Sequence, residues 1–231
     1  RLISQIASLH FAPTIKSFET LQSSNISGKI EMTGNTVIDA LLLMSNRLPD
    51  SQDERVDGSN YKIILTTVHR RENWGSRIEN VAKGILLLLE TNKEIAFLLP
   101  MHPNPIVRKP LKELLGNNPR IELTEPLDYD QLVSAMKRSY LILTDSGGLQ
   151  EEAPSLGKPV LVLRETTERP EAVEAGTAKL IGTQSKNIYN EVNFLLHNDQ
   201  AYSAMAKSVN PFGDGYSSDR IIGICKTFLG L

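Results

Sequence analysis

"TDSGGLQEEAPSLGKP", residues 144 to 159, follows the apolar run "YLIL" at 140 to 143. A short buried strand runs into two glycines, and these open a helix that carries Glu151 and Glu152. In the plainest account this is a strand-to-helix turn: Asp145 or Ser146 caps the helix, Gly147 and Gly148 permit tight backbone geometry, and the acids favour the positive end of the helix. The alternative is an anion site, because NH groups that can accept a cap can equally accept a phosphate. In open α/β sheets, ligands gather at the carboxyl ends of strands, where this turn lies.

Outward from that turn, short β-branched runs alternate with helical periods, the pattern of a Rossmann-like parallel α/β layer. Strands are expected at 61–68, 95–100, 120–124, 140–144, 159–163 and 178–182. Ile78, Val81, Ala82, Ile85, Leu86 and Leu89 form the stripe of a helix packed on a sheet. Further helices are expected at 130–139, from Gly147 onward and at 185–198, with Pro154 tolerated near a helix start. The loops after the first, second, fourth and fifth strands hold the unusual residues, so a shared crevice is expected there.

The first 60 residues and the last 21 read differently. "LHFAPT" (9–14) and "KIEMTGNTVIDALLLM" (29–44) give two strands with helices, too little for a domain by itself. The polar stretch 49–60 reads as a linker. The segment 211–231 is a Gly-rich turn and a helix whose Ile221, Ile222, Cys225, Phe228 and Leu229 need a partner surface. The chain begins at Arg1 without a signal-peptide pattern and reads as a fragment.

Composition narrows the function. With 231 residues, 25 Lys+Arg against 27 Asp+Glu and a formal charge of −2, there is no basic field to hold nucleic acid or an anionic membrane. No apolar run approaches the roughly 20 residues that span a bilayer. Cys225 is the single cysteine, so an internal disulfide is excluded and a reducing compartment fits. A soluble protein is expected.

The candidate chemistry sits in the loops. In "TVHRRENWG" (67–75), His69 stands beside Arg70 and Arg71, which can supply bidentate positive charge to a phosphate or carboxylate; Glu72 and Trp74 read as a first-turn acid and a packing residue. His102 lies among the prolines of "PMHPNP" (100–105), and by itself reads as structural. In "RETTERPEAVEAG" (164–176), a charged loop, Arg169 is the best candidate to neutralise a pyrophosphate. Metal-ligand spacings such as HxH, HExxH or clustered Cys/His are absent. Asp145, Ser146 and His69 do not make a GxSxG nucleophile elbow, and no Lys-Ser/Thr pair follows the glycines as a Walker loop requires. A phosphate cradle for a nucleotide sugar or dinucleotide remains.

With "HFAPT", "TGNTVIDALL", "HRRENWG", "PMHPNP", "EPLDY" (125–129), "LTDSGGLQEEAPSLGKPVLVLRETTERPEAVEAGT" (143–177) and "NPFGDG" (210–215) in one order, the chain resembles the C-terminal portion of the non-hydrolysing UDP-N-acetylglucosamine 2-epimerases. The resemblance implies the nucleotide-binding half of a glycosyltransferase-B-like two-domain fold. Residues 1–48 would be the last segments of a truncated N-terminal Rossmann-like domain, 61–210 the UDP-binding domain, and 211–231 a helix returning to the first domain. It implies interconversion of UDP-N-acetylglucosamine and UDP-N-acetylmannosamine: UDP is expelled to leave a glucal, then adds back after a proton returns to the opposite face. No cofactor or metal is implied, and the partners are UDP and UDP-N-acetylhexosamine.

The same resemblance assigns Ser146, Gly147 and Gly148 to the UDP phosphates and Glu152 to the ribose hydroxyls. Arg169 and His69 would face the pyrophosphate, with His69 catalytic, and the loop near Leu127 would hold uracil. Arg70 and His102 match ligands of an activating second UDP-N-acetylglucosamine. The family's acid and base at C2 belong to the N-terminal domain, so this chain is expected to bind UDP weakly without turning over. A cytoplasmic location, and a homodimer when full length, are also implied. The competing readings are a hydrolysing 2-epimerase, a glycosyltransferase-B sugar transferase and a non-enzymatic nucleotide-sugar sensor.

Overall fold

The computed structural model describes residues 2–48 and 61–231; the 49–60 stretch read as a linker lies outside the described residues. The chain divides into two units, Arg1–Arg47 with Asn210–Leu231, and Leu48–Val209.

In the first unit, a short helix α1 (Leu2–Ile6) precedes β1 (Leu9–Ala12), α2 (Ile15–Ser23), β2 (Lys29–Met32) and α3 (Thr36–Arg47). β1 and β2 pair in parallel from Leu9 opposite Lys29 to Ala12 opposite Met32. Pro13 ends the first strand, and Thr14 then caps α2, its hydroxyl accepting from Ser17 N at 3.2 Å. The C-terminal helix, Ser217–Leu229, joins α3 through one carboxylate: Asp39 accepts from the NH groups of Ser217 at 3.1 Å and Ser218 at 2.6 Å. Burial pushes the Asp39 carboxyl up, and the bonds from Ser218 and Ser217 outweigh it, leaving the group below the usual aspartate range. Asn35 N donates to Phe212 O at 2.7 Å and fastens the "NPFGDG" turn to the start of α3. The apolar side chains expected to need a partner are largely uncovered, with Ile222, Phe228 and Leu229 between 52% and 66% exposed.

The second unit holds β3 (Lys62–Thr67), α4 (Ser76–Thr91), β4 (Ile95–Pro100), α5 (Pro105–Leu115), β5 (Ile121–Thr124) and α6 (Tyr129–Arg138). It continues through β6 (Leu141–Thr144), α7 (Gly147–Glu152), β7 (Val160–Val162), α8 (Pro170–Glu174), β8 (Ala178–Leu180), α9 (Ser185–His197) and α10 (Asp199–Ala206). All six strands are parallel, in the order β5-β4-β3-β6-β7-β8. β4, β6 and β7 are apolar and buried nearly throughout, as strands covered on both faces must be. α4 and α9 meet closely on one face because Gly84 has no side chain: a Cβ there would stand 3.0 Å from Ile188 Cβ and 3.2 Å from Ser185 O.

Two expectations change. The segment 164–176, read as a loop, contains α8, because Pro170 at its start has the right φ and needs no NH partner, and Glu171 suits the first turn. The helix after Gly147 stops being α-helical after Glu152 and passes through a 3₁₀ turn, Ala153–Leu156, whose second residue is Pro154.

The strand order places the site. From β3 the chain winds outward through β4 to β5, then returns to β6 on the other side of β3 and winds outward through β7 to β8. The loops leaving β3 and β6 therefore diverge in opposite directions from adjacent strands, which opens a crevice at their carboxyl ends.

Candidate functional site

β3 and β6 end level, with Thr67 opposite Thr144 and their hydroxyl oxygens 2.6 Å apart. The next residue on the β6 side, Asp145, is completely buried. Its carboxylate turns away from the following helix and gathers the loop after β3. It accepts from His69 N at 3.0 Å, Arg70 N at 2.9 Å and Asn73 Nδ2 at 2.9 Å, and Nδ1 of the His69 ring lies 2.9 Å from Oδ1. Asp145 is thus not the helix cap, because four converging donors outcompete a single helix NH. Burial raises its carboxyl, but the bond from the His69 ring, the charge there and the Arg70 and Asn73 donors hold it below the usual aspartate range. With hydrogen on Nδ1 the ring is fixed and Nε2 is left for another partner.

Ser146 occupies the cap position of α7 and makes no side-chain capping bond. Six α-helical residues make a small macrodipole. What the turn offers is the individual NH groups of a first helical turn whose first two residues carry no side chain, Gly148 exposed and Gly147 buried. A Cβ on Gly147 would lie 2.9 Å from Glu168 Oε1 and 3.4 Å from Arg70 Nη2; one on Gly148 would meet nothing nearer than 3.8 Å, from Glu152 Oε2 and Ser146 Oγ.

The paired glutamates divide. Glu151 forms an ion pair with Arg169 Nε. Glu152, 7% exposed, accepts from the Tyr129 hydroxyl at 3.2 Å, which ties α7 to the end of "EPLDY". Burial lifts Glu152 above the ordinary glutamate range; the Tyr129 bond opposes the rise and the Glu151 charge adds to it. The Tyr129 hydroxyl is pushed up to about 12, by burial first and then by Glu152.

A pocket of about 260 Å³ lies beside the crevice, with His69, His102, Met101, Pro126, Leu127 and Leu132 among its lining residues. The His69 and His102 rings stack at a centroid distance of 6.3 Å. Arg70 belongs to a chain of charges: its Nη2 is 2.6 Å from Glu168 Oε1, Glu168 also pairs with Arg164 Nη1, and Arg164 Nε lies 2.6 Å from Glu72 Oε1. Glu72, read as a helix acid, therefore serves as an ion-pair partner.

The structure brings His69, His102 and Leu127 into one pocket, sets Ser146, Gly147 and Gly148 at the head of α7 with Glu152 near them, and holds Arg169 and Arg70 against Glu151 and Glu168 respectively. Arg70 and His102, paired by resemblance, have different neighbours. Four residues escaped the sequence reading: Asp145 as a clamp, Asn73, Glu168 and Tyr129. Asn73, fully buried, also donates to Leu163 O at 3.1 Å and so fastens the β3 loop to the end of β7. An acid before the double glycine and an asparagine in "RREN" were the available signals, but only the pairing of β3 with β6 brings them together. Among the described residues, no group of three or more His, Cys, Asp or Glu could hold a metal ion, and no helix is long and apolar enough to cross a membrane.

Known proteins resemble this chain in sequence and fold. A family model described as UDP-N-acetylglucosamine 2-epimerase matches residues 1–226. The UDP-N-acetylglucosamine 2-epimerase of Campylobacter jejuni is 45% identical over 237 residues, covering 97% of this chain and 62% of the relative. That of Salmonella typhimurium is 44% identical, covering 98% and 63%. Among solved structures, the Neisseria meningitidis UDP-GlcNAc 2-epimerase bound to UDP-GlcNAc superposes with a TM-score of 0.91 at 45% identity, over 98% of this chain and 63% of that one. S. aureus MnaA with UDP gives 0.91 at 45%, over 100% and 63%. The chain spans about three fifths of the length of the curated relatives it matches.

Proposed function

Because this chain belongs to the UDP-N-acetylglucosamine 2-epimerase family, we propose that its Leu48–Val209 unit binds UDP and supplies the nucleotide half of a 2-epimerase. The observation that carries the reading is the convergence, at the β3/β6 switch point, of a double-glycine helix start, an Asp-held histidine and a buried glutamate. In this reading the NH groups of Gly147 and Gly148, with Ser146, take the diphosphate. Glu152 accepts from the ribose hydroxyls, and the 125–129 loop near Leu127 holds uracil.

The reaction proposed is elimination and re-addition. The C2 proton leaves, the bond from C1 to the UDP oxygen breaks and a glucal forms; a proton then returns to the other face of C2 while UDP re-forms the C1 bond. The developing charge falls on the departing diphosphate, so fixed donors in a partly dry crevice lower the barrier, and a site that retains UDP raises its effective concentration for return. His69, held by Asp145 through Nδ1, presents Nε2 to that oxygen. Arg169 reaches it by leaving Glu151. Arg70 and His102 are proposed to contact a second nucleotide sugar, Arg70 by leaving Glu168.

UDP binding without turnover is the expected behaviour of these 231 residues. The acid and base at C2 are assigned, by resemblance to the family, to the other half of the fold, so Glu151, Glu152 and Glu168 keep their roles with Arg169, Tyr129 and the Arg70–Arg164 pair and are not given that task. The first unit, with its C-terminal helix, belongs in this reading to the other half of the fold. A cytoplasmic homodimer is proposed on the family resemblance alone. Calorimetric titration with UDP, together with incubation in D₂O with UDP-N-acetylglucosamine, tests the reading: saturable binding and no deuterium at C2 are expected, and absence of UDP binding at millimolar concentration overturns it.

A further inference from the structure

We propose that Tyr129 is the positioning residue for ribose recognition: its hydroxyl holds one oxygen of the Glu152 carboxylate and aims the other at the nucleotide. The inference rests on the UDP reading above and adds to it a residue that joins the base-binding loop to the ribose acid.

The geometry is specific to the two carboxylate oxygens. Tyr129 donates to Oε1 at 3.2 Å. Oε2 faces the first helical turn, 3.8 Å from where a Cβ on Gly148 would stand. A glutamate side chain swings about three bonds, and one nearly buried beside a second glutamate has reason to turn away or take a proton. A phenol donor on Oε1 opposes both: it favours the ionised form and restricts rotation, so Oε2 presents an acceptor towards the cradle side with little reorganisation. A glutamate fixed in this way distinguishes nucleotides that carry both ribose hydroxyls from those that lack them, since a site built to accept a hydroxyl is left unpaired by the deoxy analogue.

The placement of Tyr129 adds a consequence. It is the first residue of α6, immediately after Asp128, whose side chain accepts from the backbone NH of the third helical residue, Gln131, while Gln131 Oε1 accepts from Asp128 N in return. The capping box fixes the start of the helix and with it the ring of Tyr129. The loop that carries Leu127 and the helix that carries Glu152 thereby move as one, and base and ribose are read together.

The test compares UDP with 2′,3′-dideoxy-UDP by calorimetry on the wild-type chain and on Tyr129→Phe, with circular dichroism and thermal melting to establish that the variant is folded. Loss of one hydrogen bond to a charged group predicts about a tenfold loss of UDP affinity in Tyr129→Phe. Affinity for the dideoxy analogue should change less than about twofold, because the hydroxyls that Glu152 reads are absent from it. Discrimination between the two ligands, strong in the wild type, collapses in the variant. A purely structural role in the loop would weaken both ligands alike, and that result, or an unchanged ratio, overturns the inference while leaving the nucleotide site standing. A wild-type chain that binds UDP and the analogue equally also overturns it. Failure of the wild type to bind UDP at all overturns the nucleotide reading and this inference with it.

Discussion

Replacing Asp145 with asparagine tests the part of the structure on which every other assignment depends. The wild-type carboxylate is fully buried and meets His69 N, Arg70 N, Asn73 Nδ2 and His69 Nδ1, all within 3.1 Å. An amide with its oxygen at the Oδ2 position keeps His69 N, Arg70 N and Asn73 Nδ2 and sets an NH₂ group against the His69 ring donor, whereas the opposite flip strands Arg70 N and Asn73 Nδ2; the better orientation therefore loses one donor. At roughly 1.5–3 kcal/mol for a hydrogen bond to a charged group, that lost bond costs about 1.5–3 kcal/mol. That is a sizeable fraction of the roughly 5–15 kcal/mol of a typical domain, and corresponds to a fall in melting temperature of about 3–12 °C for a chain of this size. Trp74, the only tryptophan, follows Asn73 directly and packs against the core, so its fluorescence during urea unfolding reports on the clamp.

The pH dependence follows from the same carboxylate. Its folded pKa is depressed, so its stabilisation is complete above the unfolded value, about 3.9 for aspartate, and is lost as pH falls through the lower folded value. The gap between wild type and Asp145→Asn is expected to be constant near neutrality and to close below about pH 4. A loss smaller than about 1 kcal/mol at pH 7, where unpaired buried donors should each cost at least that much, refutes the clamp.

Three further outcomes are expected. Gly148→Ala, whose new methyl meets nothing nearer than 3.8 Å, should stabilise α7 by about 0.5–1 kcal/mol while weakening UDP binding, a divergence read by parallel melting and titration. Asp39→Ala should cost about 1–2 kcal/mol by uncapping the C-terminal helix; because the Asp39 pKa is also depressed, the wild-type advantage is present above the ordinary aspartate range and fades as pH falls through the folded value, measurable by urea titration at several pH values. Arg120→Met should cost about 2–4 kcal/mol in denaturant unfolding, since the guanidinium donates to the carbonyls of Leu89, Asn92 and Ile95, which run from the end of α4 to the start of β4, and Arg120→Lys, lacking the fork, should recover only part of it.

How much of this was legible in the sequence depends on the range of the interaction that decides each feature. The six parallel strands were, because runs such as "IAFLLP" and "YLILT" bury both faces and carry their own signal. α4 was legible from its stripe. α5 was not among the expected helices: Pro105 sits in its first turn behind the Asn104 cap, and Val107, Leu111 and Leu115 fill one buried face around Pro110. The glycine turn and its glutamates were visible as a candidate site, since a local turn needs local residues. The role of Asp145 was not, because it depends on β6 returning to lie beside β3, a pairing over 76 residues that no window of sequence contains. Tyr129 and Glu168 were hidden for the same reason, each meeting its partner across the crevice.

Under the proposed function, the turn after β6 grips a diphosphate while Glu152 reads the attached ribose. A crystal structure of this chain with UDP tests it most directly. Diphosphate oxygens are expected on the NH groups of Gly147 and Gly148 and a ribose hydroxyl on Glu152 Oε2; UDP bound elsewhere, with that turn unoccupied, would rule this assignment out.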